Sequence, residues 1–386
     1  MKLSKLFGIL LVLISISFNS CLIAKDVKKG NKEENYSKED LELRRKIAQM
    51  LILGFRGTEL KSSDNIYKLI TREGIGGVIL FDYDVPSKKA KRNIENPNQL
   101  RKLCRDLQKA GTNKLLISID QEGGKVSRLK EIYGFPPTVS QQYLGDNHNK
   151  KLTSEWAART ATNLKSLGIN LNFAPSVDVN INPQCPIIGK LERSFSSDEE
   201  RVITHSKLVI EEHRKKGILT AIKHFPGHGS SNNDTHKGVV DVTDTYQERE
   251  LIPFQRLIDE GYVDMIMTSH VFNANIDSVY PSTLSYKTLT NLLRVKMGYR
   301  GIIISDDMAM GAIAKEYNLK TCLEKGINSG VNIFIFSNNG ETYDDEIGYK
   351  FIDTVFQLVK EGKVSEQSII NSYVMIEKLK AKMELR

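Results

Sequence analysis

Three stretches of this chain concentrate side chains able to do acid–base or nucleophilic work. The stretch KHFPGHGSSNNDTH, residues 223–236, carries Lys223, three histidines (His224, His228 and His236) and Asp234 around Pro226, Gly227 and Gly229. In SDDMAMG, Asp306 and Asp307 follow the apolar run Gly301-Ile302-Ile303-Ile304. DQEGGKVSR opens on Asp120 and closes on Arg128, and Arg193 stands in LERSF. A carboxylate at the end of a rigid strand can serve as nucleophile, metal ligand or hydrogen-bond acceptor. It can equally cap a helix, and Asp306 or Asp307 could cap one beginning near Met308. Neighbours on a strand point to opposite faces. Asp306 is therefore expected to face inward, with Asp307 capping or supporting it.

Two readings fit the histidine-rich stretch. Three imidazoles can hold zinc, but the spacing H-x3-H-x7-H runs through a Gly/Pro loop and the first candidate strand offers no further ligand, so no metal is expected. Acid–base work is the other reading. Asp234 and His236 are two apart, so in an extended segment they leave the same face and can hydrogen-bond. A carboxylate orients an imidazole and raises its basicity, which makes a proton carrier for neutral pH. A plain polar surface loop would also be Gly-rich, and so would a mobile flap over a site. Asp120 could grip ligand hydroxyls, with Gly123 and Gly124 allowing close approach. Lys223, Arg128 and Arg193 could donate to hydroxyls or an amide, or simply be ion-paired charges.

Something must bring these residues together. Eight short apolar runs recur along the chain: Met50–Phe55, Gly77–Phe81, Leu115–Ile119, Leu171–Ala174, Leu219–Ile222, Met265–Thr268, Gly301–Ser305 and Val331–Phe336. They barely alternate, as expected of parallel strands buried on both faces. Amphipathic stretches lie between them, such as Asn98–Ala110, Leu152–Leu167, Arg201–Lys216 and Tyr246–Glu260, and a last helix is expected over Ser365–Met383. Eight βα units predict an α/β fold, a single (β/α)8 TIM-type barrel. A doubly wound open sheet is the alternative, but no GxGxxG follows the first strand. In a (β/α)8 barrel the chemistry sits at the C-terminal strand ends. Asp120, Asp178, Lys223-His224, Ser269-His270 and Asp306-Asp307 all fall there.

The chain has 386 residues, 40% hydrophobic and 26% charged, with 27 Gly and 10 Pro. This excludes wholesale disorder and collagen-like or low-complexity architecture. No apolar run reaches the roughly 20 residues of a spanning helix. The formal charge is +8 and the pI about 9.0. No basic block is interleaved with aromatics, so nucleic acid is not an expected partner. Residues 1–21 read as an export signal: Lys2 and Lys5, the apolar stretch Leu6–Phe18, then Asn19-Ser20 before Cys21. Such a cysteine resembles a lipoprotein processing site; an ordinary signal peptide or an uncleaved anchor is the alternative. The expected organisation is a signal over 1–21, a polar tether over 22–40 and the barrel over 41–386. The chain would be a monomer held to the membrane by lipid alone. Cys104, Cys185 and Cys322 form no CxxC pair and are expected to be small, partly buried hydrophobes.

Taken together, GIGGVILF, IDQEGGKVSR, NFAPSVDVNINP, IGKLERSFSSD, KHFPGHGSSNNDTHKGVVDV, DMIMTSHVFNANID and GIIISDDMAMGAI resemble glycoside hydrolase family 3. They cover roughly residues 45–340 and look like its single-domain bacterial β-N-acetylhexosaminidase branch. The resemblance implies a retaining enzyme without cofactor that removes N-acetylglucosamine from peptidoglycan fragments. It implies Asp306 as nucleophile, His236 as general acid/base with Asp234 as its partner, and Asp120, Arg128, Arg193, Lys223 and His224 as the residues that hold the sugar. IGKLERSF carries one extra residue before Arg193. A β-glucosidase or phosphorylase on the same scaffold, or a non-catalytic wall-binding lipoprotein, are the competing readings.

Overall fold

The structure is a computed structural model that describes residues 36–383; the export signal, Cys21 and most of the expected tether lie outside the described residues. Eight parallel strands close into one barrel: β1 (Leu51–Gly54), β2 (Gly77–Ile79), β3 (Leu116–Ile119), β4 (Leu171–Asn172), β5 (Leu219–Phe225), β6 (Met265–Thr268), β7 (Ile302–Asp307) and β8 (Ile333–Phe336). Each strand pairs with its neighbour in sequence, and β1 closes on β8 with Leu51 opposite Phe334 and Leu53 opposite Phe336. Every residue of β1, β3, β6 and β8 is buried. That two-sided burial explains why the runs do not alternate: one face fills the barrel and the other meets the helices.

The strands match the eight expected runs, and the barrel is the expected (β/α)8 fold. Two run further than expected at the end that matters. β5 continues through Phe225 and β7 through Asp307. In both, the ladder register shifts near that end, between Ile222 and Phe225 and between Ile304 and Asp307. Such irregularities re-aim side chains at barrel rims. Asp306 and Asp307 therefore belong to the strand. Neither caps a helix near Met308; the next helical turn is Gly311–Ala314, with no side-chain cap.

The principal helices are α1 (Lys38–Ala48), α2 (Pro97–Ala110), α3 (Lys150–Leu167), α4 (Glu199–Lys215), α5 (Ile252–Asp259), α6 (Leu319–Ser329), α7 (Ile347–Lys360) and α8 (Glu366–Ala381). α2 illustrates the logic. Asn96 caps it by accepting from the amides of Asn98 and Gln99, Pro97 opens it, and Leu100, Leu103, Cys104 and Leu107 form its buried stripe. The expected helix over Tyr246–Glu260 is split into a 3-10 turn, Glu248–Leu251, and α5. The expected tether boundary at Asp40 also moves. Ser37 and Asp40 form a reciprocal capping box, so helix starts at Lys38. α1 then docks on α7 through Arg44–Asp353 and Asp40–Lys360 ion pairs. Cys104, Cys185 and Cys322 are all buried free thiols. Among the described residues, no helix is long and apolar enough to cross a membrane.

Candidate active site

The barrel mouth divides its labour by strand parity. Ile79, Phe173, Met267 and Ile335 come from β2, the residue after β4, β6 and β8, and all four line the catalytic cleft. Polar side chains rise from β3, β5 and β7, where Asp120 directly follows β3, Lys223 and His224 lie near the end of β5 and Asp306 near the end of β7. Alternate strands contribute alternate layers to such a barrel. The even strands thus give an apolar floor and the odd ones the chemistry above it. Two connected lobes, ≈ 250 and ≈ 280 Å³, share Asp120, Arg128, His236, Met267, Asp306 and Met310.

In one lobe the cations and carboxylates are interlocked. Lys223 Nζ lies 2.8 Å from Asp120 Oδ1 and 2.6 Å from Glu122 Oε1. Arg193 clamps Glu122 in bidentate fashion, Nε to Oε2 at 2.8 Å and Nη2 to Oε1 at 2.7 Å. Arg193 Nη2 also lies 3.1 Å from His224 Nε2. A guanidinium only donates, so His224 Nε2 accepts and Nδ1 carries the proton directed at Asp178 Oδ2, 2.6 Å away. Arg128 approaches Asp120 at 3.7 Å and lies over Phe81, and its buried Nε has no protein partner. Burial works against the charges of Lys223 and Glu122, but opposite charge outweighs it: the ammonium is held above its usual pKa and the Glu122 carboxyl below.

Asp306 stands beside this network. Burial alone would raise its pKa. The imidazoles of His270 and His224 and the Asp307 amide oppose that and hold the carboxyl below its ordinary value. Its Oδ1 accepts from the Asp307 amide at 2.7 Å. Asp307 shifts the other way, raised by burial despite bonds from Ser337. Its carboxylate accepts from the amides of Ala309 and Ser337 and the Ser337 hydroxyl, tying the loop after β7 to the loop after β8. His270 is buried, and its Nε2–H donates to the Asp307 carbonyl at 3.0 Å.

His236 reaches the same cleft from the long loop after β5. Its Nδ1 lies 2.7 Å from Asp234 Oδ1, which also accepts the His236 amide at 2.9 Å. The imidazole side chain is 64% exposed, as suits a group that must meet both substrate and water. The loop is rooted firmly. Buried Glu250 accepts the Gly229 amide at 3.0 Å, and burial pushes its pKa up to about 7. Gly227 adopts φ +136°, where a Cβ would meet the Glu250 side chain at 2.7 Å. His228 spans the loop from inside, Nδ1 to Ser231 Oγ at 2.8 Å and Nε2 to Thr235 Oγ1 at 3.3 Å. At its far end the loop sits on the Gly311 turn, where the Gly311 and Ala312 amides donate to the His236 and Thr235 carbonyls.

All eight residues singled out within the barrel, Asp120, Arg128, Arg193, Lys223, His224, Asp234, His236 and Asp306, thus lie at one mouth. The extra residue in IGKLERSF leaves Arg193 inside the network. The three histidines of residues 223–236 take separate partners, and among the described residues no three His, Cys, Asp or Glu side chains converge as metal ligands. Two participants escaped the sequence reading. Glu122, two positions from Asp120, sits where an extended segment returns to the same face. Asp178 was noted at a strand end but given no role. It accepts from His224 Nδ1, the amides of His224 and His228, and the Ser176 hydroxyl.

A (β/α)8 barrel that brings a half-buried carboxylate and a carboxylate-backed imidazole into one cleft fits a glycosidase. Residues 42–379 match the family described as "Glycosyl hydrolase family 3 N terminal domain", and the chain belongs to it. It is 32% identical over 292 residues to a beta-hexosaminidase of Tolumonas auensis, covering 75% of this chain and 83% of that protein. It is 31% identical over 341 residues to beta-hexosaminidase A of Pseudoalteromonas piscicida, covering 82% of this chain but 55% of the relative's length. A solved glycoside hydrolase family 3 beta-N-acetylglucosaminidase from Paenibacillus sp. str. FPU-7 superimposes with a TM-score of 0.80 at 33% identity, covering 89% of this chain and 63% of that one.

Proposed function

We propose that this chain is a retaining β-N-acetylglucosaminidase acting on peptidoglycan-type fragments. The observation that carries the reading is the pairing, in one cleft, of a half-buried carboxylate held below its ordinary pKa with an exposed imidazole backed by a carboxylate. Asp306 attacks the anomeric carbon while imidazolium His236 protonates the departing oxygen. Neutral His236 then takes a proton from water, which attacks the glycosyl-enzyme and frees the sugar with its β configuration kept. Asp234 orients the ring and stabilises its cationic form. Most retaining glycosidases use two carboxylates for these roles; here an imidazole replaces one. Asp120, Lys223, Arg128, Arg193 and His224 present directed donors and acceptors suited to hydroxyls and an acetamido group.

Hydrolysis of an aryl β-N-acetylglucosaminide, compared with the matching aryl β-glucoside, tests the reading. Turnover of the first and release of free N-acetylglucosamine with or without phosphate are expected. Preference for the glucoside, or a sugar phosphate as product, would overturn it. The proposal extends to location: export as a lipoprotein acylated on Cys21. Mass spectrometry of the N-terminal peptide from native membranes should find Cys21 acylated as the first residue. An unmodified peptide that starts elsewhere, or an intact Met1, removes the anchor.

A further inference from the structure

The face opposite the catalytic mouth carries charge that the site does not use. The barrel strands all run one way, so every link that leads into a strand lies at that far face. The links into β2, β3, β4, β5 and β7 each expose a cation: Arg72, Lys109, Lys165, Lys216 and Arg300. Among the described residues no ion pair engages any of the five. The acids of the same face are mostly taken: Lys207 and Arg256 pair with Glu260, Lys320 and Lys363 pair with Glu361, and Asp259 accepts from Gln255. At the mouth the balance differs, since Arg56, Lys125, Lys130 and Lys315 all pair with carboxylates.

Cations at helix ends complement the helix dipole, which accounts for Lys109 and Lys165 in the last turns of α2 and α3. It does not account for Arg300, which lies past the helix end at Met297, nor for the apolar groups beside the cations. Val295 and Val374 are 69% and 41% exposed. Val295 adjoins exposed Lys296 just before β7. Val374 belongs to α8, which is seated beneath the starts of β8 and β1: Asn332 donates to the Ser372 hydroxyl at 3.1 Å, and Lys380 donates to the Gln49 side chain. Lys378 and Lys382, also exposed, follow Val374 along that helix. The described chain enters at this face too, because Asp40, near the start of α1, pairs with Lys360 at the end of α7.

We propose that this face docks on the surface of an anionic bilayer and so turns the catalytic mouth away from the membrane. Lysine or arginine held near an anionic leaflet strengthens binding about fivefold per residue, and the attraction fades within a Debye length. Cations spread over one face therefore act together only if that face lies against the lipid. The exposed valines favour a bilayer over a soluble polyanion, because the headgroup boundary offers apolar surface to bury against. The inference goes beyond the acylation proposed for Cys21 and does not require it. An acyl anchor would add to it, since Cys21 precedes Tyr36 by 15 positions and the chain enters at the docking face.

The test is partition of the full chain into vesicles of phosphatidylcholine, with and without phosphatidylglycerol as a minor component, at low and high salt. The ratio of the two partition coefficients reports the anionic lipid. It should be well above one at low salt and fall toward one as salt rises. The combined variant Lys165→Glu, Lys216→Glu, Arg300→Glu should cut the ratio about tenfold or more. The matching Gln variant removes charge without reversing it, and should cut the ratio by less while melting as the wild type does. Lys61→Glu, Lys88→Glu, Lys89→Glu makes the same change of net charge on the mouth side and should leave the ratio nearly intact. The N-terminal segment is identical in all of these chains, so differences among them belong to the faces. A wild-type ratio of one, or equal losses from the two Glu variants, would overturn the docking face. Binding of soluble poly(glycerol phosphate) through the same three cations, with no preference for anionic vesicles, would also overturn it and give the face to a wall polymer. An unmodified Cys21 would remove the anchor and leave the ratio untouched, so the two proposals fail separately.

Discussion

Asp306 and Asp307 share a strand end and a half-buried setting, yet their pKa values move apart. The cause is what each faces. Burial pushes both carboxyls up; at Asp306 the imidazoles of His270 and His224 and the Asp307 amide outweigh it, whereas at Asp307 the bonds from Ser337 and Ala309 do not. One is left free and ionised for attack, and the other is consumed in holding two loops. Asp306→Asn keeps the shape and removes the nucleophile. It should leave the melting temperature nearly unchanged and cut turnover by roughly 10⁴-fold or more. A folded variant that hydrolyses the aryl substrate near the wild-type rate would move the nucleophile elsewhere. His236→Ala should behave differently. A general acid contributes about 10²–10⁴-fold, but a leaving group that departs readily unaided needs little of it. The glycosylation step should therefore suffer most with poorly acidic leaving alcohols. Equal losses across a leaving-group series would exclude a proton donor at this position.

The elements that carry these residues differ in how openly the sequence declares them. β6 coincides with its expected run, Met265–Thr268, because Met265, Ile266 and Met267 put apolar side chains on both faces. β5 and β7 were cut short because Lys223, His224, Asp306 and Asp307 look like loop. They remain on the strand since the barrel mouth supplies their partners: Glu122 for Lys223, Asp178 for His224 and Ser337 for Asp307. Those pairings join residues far apart in the chain, so local pattern could not reveal them. The proximity of Asp234 and His236 was legible because it is local. What anchors their loop was not: Glu250 beneath Gly229 and Gly311 beneath His236 are tertiary contacts. A Cβ on Gly311 would come within 2.7 Å of the His236 carbonyl and 3.0 Å of the Lys237 carbonyl carbon, closer than real contacts allow. Gly311→Ala should therefore push the loop off its seat and reproduce the leaving-group signature of His236→Ala in milder form, with little change in melting temperature. A loss that is uniform across leaving groups would show that Gly311 serves the fold and not the proton donor.

At the scale of the whole molecule, the site is held in register by buried groups that must stay neutral. His213 on α4 shows how. Its Nδ1–H donates to the Val209 carbonyl at 2.8 Å, and Nε2 accepts from Asn172 Nδ2 at 3.0 Å. Asn172, at the end of β4, grips the Gln121 backbone through both its amide and its carbonyl, fixing the chain between Asp120 and Glu122. That reciprocal grip fixes the Asn172 amide orientation. A second proton on His213 would therefore meet a donor and break the link. Burial lowers the His213 pKa to about 4, and it does the same for His205 and His228. The ordinary value is 6.5, so between 6.5 and about 4 the unfolded chain binds protons that the folded chain refuses. Stability is then complete above pH 6.5, declines as pH falls through that window, and loses no more from these groups below it. His213→Gln removes one of the three. It should lower the melting temperature at pH 7.5, because a buried hydrogen bond is disturbed, and reduce the loss that these three imidazoles contribute between pH 6.5 and 4 by about a third. Thermal melts of both proteins across that range measure it. Parallel curves, with the variant lower by a constant amount, would mean that His213 does not carry this share of the acid sensitivity.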